Sequence, residues 1–151
     1  MVATAVRGRT VKPRRPSVDY EGMEQAALFN WLRVRHPEAW ELAYHIPNGG
    51  HRVKAVAAKL KAQGVKSGVS DIKLPMARGG YFGLYIEFKA SPPHDAAVSD
   101  SQRTFLLKVE REGYLAMVCR GLDEARKSID AYMAWPRTVV HFSEFEAGET
   151  A

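Results

Sequence analysis

Asp71, Glu87 and Lys89 are the residues whose types and spacing reach furthest toward chemistry. They fall in the stretch from Gly68 to Ala90: Gly-Val-Ser-Asp71-Ile-Lys-Leu, a Gly79-Gly80 turn, then Leu84-Tyr-Ile-Glu87-Phe-Lys89. This pattern predicts two short strands joined by a hairpin. Side chains alternate along a strand, so Glu87 and Lys89 share one face while Leu84, Ile86 and Phe88 take the other. Antiparallel pairing brings Asp71 back toward Glu87 and Lys89. Two carboxylates and an ammonium converging at one end of a sheet can hold a divalent metal and activate a water beside it. Taken alone, Glu87 and Lys89 also read as an exposed ion pair on a strand, worth at most about 1 kcal/mol.

The flanking elements must position these groups. From Gly22 to Arg35 the pattern is helical, and Glu24 lies on the stripe of Leu28 and Trp31. Glu24 therefore either complements the helix dipole at an exposed beginning or points into a site. His36-Pro37 ends this helix, and Trp40 to Ile46 reads as a strand. The next loop, Pro47-Asn48-Gly49-Gly50-His51-Arg52, gathers groups that donate to phosphate: His45 just before it, Asn48, His51, Arg52 and the glycine amides. A plain turn would use the same glycines, and the two histidines lack the partner set of a zinc site.

Val53 to Gln63 is expected to form an amphipathic helix with Lys54 away from its apolar seam and Gly64 as terminator. Lys66, Ser67, Gly68 and Ser70 then lead into Asp71, a composition suited to contacting a backbone phosphate and equally that of an ordinary loop. Ser99 and Gln102 match a capping box opening a helix to about Glu112. Tyr114 to Cys119 reads as a strand and Leu122 to Trp135 as a last helix, closed by Pro136. The order of elements predicts an α/β fold, a small mixed sheet flanked by helices.

With 151 residues and 46% hydrophobic content, the chain fits one globular domain. No apolar run approaches the roughly 20 residues that span a bilayer, and no apolar signal-peptide core is found at the N-terminus. Cys119 is the single cysteine, so no intrachain disulfide forms, no disulfide-linked partner is expected, and a reduced cytoplasmic setting follows. Of the +5 net charge, residues 1–18 supply five basic groups and no acid, which reads as a disordered basic arm. From His51 to Lys89 eight Lys or Arg face only Asp71 and Glu87. Such clustering favours a polyanionic partner, although a solvated helix face gives the same count.

An aspartate, a hairpin and then Glu-x-Lys resembles the PD-(D/E)XK nuclease superfamily, here as Ser70-Asp71 followed by Glu87-Phe88-Lys89, without the usual proline before the aspartate. The wider set comprises Glu24-Gln25, His45-Ile-Pro-Asn48-Gly-Gly-His-Arg52, Gly68-Val-Ser-Asp71, Ile86-Glu-Phe-Lys89-Ala and Gln102. In this order it resembles the virus-type replication-repair nuclease (VRR-NUC) domain, over roughly Gly22 to Tyr132. The resemblance implies a restriction-endonuclease-like core over residues 19–136, with 137–151 as an edge strand, dimer contact or loose tail.

It further implies Mg²⁺ or Mn²⁺ held by Asp71, Glu87 and the carbonyl of Phe88, with Glu24 helping through water. Lys89 would orient or deprotonate the attacking water, and a site-facing role for Gln102 competes with the capping box. Stand-alone members of the family resemble enzymes that cut branched DNA, notably Holliday junctions, as homodimers. The expected partners are therefore DNA and a second copy of the chain, with no membrane. The alternatives are a flap or single-strand nuclease, a restriction-type enzyme with base specificity, and a non-catalytic DNA-binding module.

Overall fold

The computed structural model describes residues 17–48 and 53–139. The expectations for the basic arm before Ser17, for His51 and Arg52, and for the tail after Val139 lie outside the described residues.

Helix α1 spans Tyr20–Arg35. Asp19 caps it, its side chain accepting from the Gly22 amide at 2.9 Å. The backbone turns at His36, as the residue before a proline must, but the chain does not go on to a strand at Trp40. Pro37 opens a second helix, α2, Pro37–Leu42. A proline is well placed there, because the first helical turn has no use for its missing N–H and its fixed φ is already helical. Strand β1 is only Tyr44–His45. The expected strand from Trp40 is thus corrected to a short helix whose buried residue is Ala39. Trp40 and Leu42 lie on its exposed side.

Helix α3 follows at Lys54–Ala62, terminated by Gly64 at φ +95°. Strands β2 (Ile72–Leu74) and β3 (Leu84–Lys89) pair antiparallel, Ile72 opposite Ile86. Their connection turns through Gly79 and Gly80, both at positive φ, where an isolated bridge joins Arg78 and Tyr81. Helix α4 (Asp100–Arg111) crosses back to β4 (Leu115–Arg120), which runs parallel to β3. Helix α5 (Leu122–Ala134) is the last helix among the described residues. The sheet order is β1-β2-β3-β4, mixed as expected. Beyond α5, Thr138 docks on the hairpin, its hydroxyl donating to the Tyr81 carbonyl at 2.8 Å.

One face of the sheet presents Ile72, Leu74, Leu84, Ile86 and Phe88 to Leu28 and Leu32 of α1, Ala39 of α2, and Ala125, Ile129 and Tyr132 of α5. Each large side chain fully buried in this layer contributes about 1.5–3 kcal/mol. The other face of β3 carries Tyr85, Glu87 and Lys89. There α4 lies over it, the Phe105 ring packing edge-on against Tyr85 at 5.4 Å. All six residues of β3 are consequently buried, although two of them are charged. Cys119 is buried, and its thiol is pushed up to about 11, chiefly by burial. At that value it is no nucleophile. Among the described residues no helix is long and apolar enough to cross a membrane.

Candidate active site

The hairpin register sets the site. With Ile72 opposite Ile86, the preceding Asp71 comes level with Glu87 on the face away from the apolar core. The amide of Phe88 donates to Asp71 Oδ2 at 2.9 Å, which fixes that carboxylate against the strand. Glu87 is 0% exposed and Lys89 6%. Lys89 Nζ donates to Glu87 Oε1 at 2.7 Å, and the carboxamide nitrogen of Gln102 donates to the same oxygen. Oε2 of Glu87 is buried and has no hydrogen-bond partner among the described residues. The Glu87 carboxyl is pushed up to about 7, first by burial, with Asp71 adding to the rise and Lys89 opposing it.

Gln102 makes contacts in both directions that its sequence context allowed. Its side-chain oxygen accepts from the Ser99 amide at 2.8 Å, while its own amide donates to Ser99 Oγ at 3.3 Å, completing the capping box. The remaining end of the carboxamide is the one that reaches Glu87.

Glu24 stands elsewhere. Its Oε1 accepts from the Ser91 amide at 2.9 Å, and its Oε2 accepts from Ser91 Oγ at 2.7 Å and from the Leu122 amide at 3.0 Å. Burial works to raise this carboxyl, but the donors from Ser91 and Leu122 outweigh it and hold it below the usual range. Glu24 thereby ties α1 to the loop after β3 and to the first turn of α5. Gly121, at φ +90°, gives these groups room, since a Cβ there would lie 2.1 Å from Ser91 Oγ.

The acid of α1 that faces Asp71 is Glu21, one turn before the expected Glu24. Its carboxyl is raised by burial and by Asp71 and Asp19, against the pull of Lys89. A cleft of about 370 Å³ is lined by Asp19, Glu21, Gly22, Gln25, His45, Pro47 and Asp71. Glu21 and Gln25 are spaced i,i+4 and so share one side of α1. That spacing, set beside the apolar company that Glu24 keeps with Leu28, was the available signal.

The other expected residues divide. His45 Nδ1 donates to the Asp71 carbonyl at 2.9 Å and Asn48 Nδ2 to the Val69 carbonyl at 2.8 Å. Both therefore clamp the strand carrying Asp71. Lys54, Lys66 and Ser67 are exposed. Ser70 is 0% exposed, its Oγ without a partner among the described residues, so it offers no surface to a nucleic acid, in correction of the expected contact. Strand alternation explains it: Ser70 follows Ile72 and Leu74 into the core.

Among the described residues no three His, Cys, Asp or Glu side chains form a metal cage. Mg²⁺ does not require one, because it keeps several waters and takes one or two carboxylates. Two facing carboxylates, one with a buried and unpartnered oxygen, form a hard-oxygen donor set short of positive charge. The donor set fits such an ion.

Asp71, Glu87 and Lys89 thus converge on one face of a mixed four-stranded sheet held between helices, an α/β architecture. The VRR-NUC domain family matches residues 19–123, and the chain belongs to it. A solved VRR_NUC domain protein is 27% identical, covering 82% of this chain and 96% of its own, with a TM-score of 0.70. No curated protein matches.

Proposed function

We propose that this chain is a Mg²⁺- or Mn²⁺-dependent DNA endonuclease that hydrolyses phosphodiester bonds in branched DNA, Holliday junctions above all, as a homodimer. The observation that carries the metal-dependent chemistry is the buried, unpartnered Oε2 of Glu87 beside the Asp71 carboxylate. Asp71, Glu87 and the Phe88 carbonyl would hold the ion, with Glu21 rather than Glu24 as the further acid of α1. When bound, the ion polarises a phosphoryl oxygen and lowers the pKa of a water.

The chain's own residues do the rest. Gln102 and Lys89 fix the Glu87 carboxylate through Oε1 and leave Oε2 free. The Lys89 ammonium, two residues along the same strand face, orients the attacking water and offsets charge developing on the phosphoryl oxygens. Hydrolysis forms one bond from the water oxygen to phosphorus, with the water's proton passing to solvent, and breaks the bridging P–O bond. The leaving oxygen takes a proton from solvent. Two active sites related by a two-fold axis suit paired nicks across a junction.

The test is incubation with Mg²⁺ or Mn²⁺ and labelled linear duplex, flap, splayed-arm and four-way junction DNAs, with Lys89→Ala as control. Symmetric cuts near the branch point, absent in the variant and in EDTA, are the expected result. Cuts confined to flaps or single strands would replace the junction by those substrates. Binding without cleavage of any DNA would overturn the nuclease.

A further inference from the structure

On the face of the sheet that carries Glu87, α4 stands beside the loop that follows α3. Between them runs a groove of about 490 Å³ lined by Lys66, Ser67, Ser101, Thr104, Phe105 and Lys108. A second hollow of about 600 Å³ continues past Lys66 and Ser67 to Lys61 and Asn48. Among the described residues neither wall contains a carboxylate, whereas the cleft at Asp71 holds three acids and no lysine. Among the described residues four Lys or Arg side chains are ion-paired, Arg35 with Asp130, Lys89 with Glu87, Arg120 with Asp95 and Arg126 with Asp123, and most of the others are not. Lys61, Lys66 and Lys108 have no ion-pair partner among the described residues.

The two walls are pressed together at Gly68. Its φ is +81°, and a Cβ there would lie 2.6 Å from the Ser101 carbonyl group. No side chain is accommodated without parting the loop from α4, so Gly68 keeps Ser67 close to the first turn of α4. Both walls also lead to the candidate active site. Ser101 precedes Gln102, which holds Glu87, and Ser67 lies on the segment that runs into Asp71.

We infer that this trough binds the sugar–phosphate backbone of the DNA at phosphates beyond the one that is cut. Lys66 and Lys108 each neutralise a phosphate, and the hydroxyls of Ser67, Ser101 and Thr104 donate to phosphate oxygens. The inference rests on the nuclease function proposed above and adds the exposed side of α4 to it. Lysines and hydroxyls on phosphates give grip and register without sequence information.

The experiment compares the full chain with its Lys66→Ala/Lys108→Ala variant. Binding of labelled duplex and four-way junction is titrated in EDTA over a range of salt concentrations. Each phosphate contact contributes about 0.9 to the slope of log K against log salt. The variant is expected to bind about ten-fold or more weakly at low salt and to lose about 2 from the slope, with its Tm unchanged. Lys66→Arg/Lys108→Arg should recover both. Should the double alanine variant fail to fold, Lys108→Glu on the exposed face of α4 reads a loss of about 1 from the slope. An unchanged affinity and slope in the double alanine variant, with a wild type that cuts DNA, would overturn the trough alone. Lysine-dependent binding by a wild type that cuts nothing would overturn the nuclease alone, and no binding by wild type would overturn both.

Discussion

Gln102 holds Glu87 by the nitrogen end of a carboxamide whose oxygen end is already committed to the Ser99 amide. The helix cap and the site are thus two ends of one planar group, and α4 cannot shift without moving Glu87. Ser99→Ala removes half of the capping box and should cost about 1 kcal/mol of stability while leaving cleavage within a few-fold. Gln102→Ala should cost a similar amount of stability and lower the cleavage rate a further ten- to hundred-fold, the usual range for a residue that orients a ligand. Thermal melts beside single-turnover cleavage separate the two.

The two acids of α1 are expected to answer differently. Glu21→Gln should lower cleavage by about ten-fold or more with little change in Tm, because its carboxyl faces Asp71 and Lys89. Glu24→Gln weakens charge-assisted bonds to Ser91 and Leu122 and should destabilise by about 1–3 kcal/mol, with cleavage per folded molecule retained. Glu24 is held below its usual 4.5 in the folded chain. Its contribution is therefore present above that value and is lost as the pH falls through the lower, folded pKa. Denaturation measured from pH 6 downward should show wild type losing that increment in acid, and Glu24→Gln having none to lose.

Ser70→Ala should stabilise. A buried hydroxyl without a partner costs about 1–3 kcal/mol in desolvation, and removing it leaves a void of only one atom. A gain of about 1 kcal/mol, read in urea titrations, is the expected net. No gain would mean that Oγ is satisfied in solution.

Metal binding should register without any nucleic acid. Added Mg²⁺ or Mn²⁺ at about a hundred times its Kd should raise stability by about 2.7 kcal/mol, seen as a higher Tm. Asp71→Asn should abolish the rise. An equal rise in that variant would place the ion elsewhere.

The elements around Asp71, Glu87 and Lys89 were legible because each rests on a local rule. The glycine pair fixes the hairpin, period-two alternation assigns the faces of β3, and Ser99-x-x-Gln102 opens α4. What escaped the sequence depends on tertiary packing. Trp40 to Ile46 has strand composition, yet Pro37 starts a helix there, and its apolar side chains are left partly exposed. Glu24 was the natural acid to choose on α1, but one turn of helix separates a residue that enters the cleft from one that meets the amides of Ser91 and Leu122. Those donors lie 67 and 98 residues away in sequence, and no local spacing announces them. Ser70 looked like part of a phosphate loop until the strand phase turned it inward.

Strand β3 is enclosed on both faces and bonded to neighbours along both edges. The amides it pairs with β2 and β4 can exchange with solvent only when the sheet itself comes apart, that of Phe88 being held by the Asp71 side chain instead, whereas the loop holding Lys66 can open in smaller fluctuations. Glu87 and Lys89 therefore belong to the most persistent unit of the molecule and Lys66 to one of its more labile units. A ligand can be gripped and released many times while the geometry of the reacting groups stays unaltered.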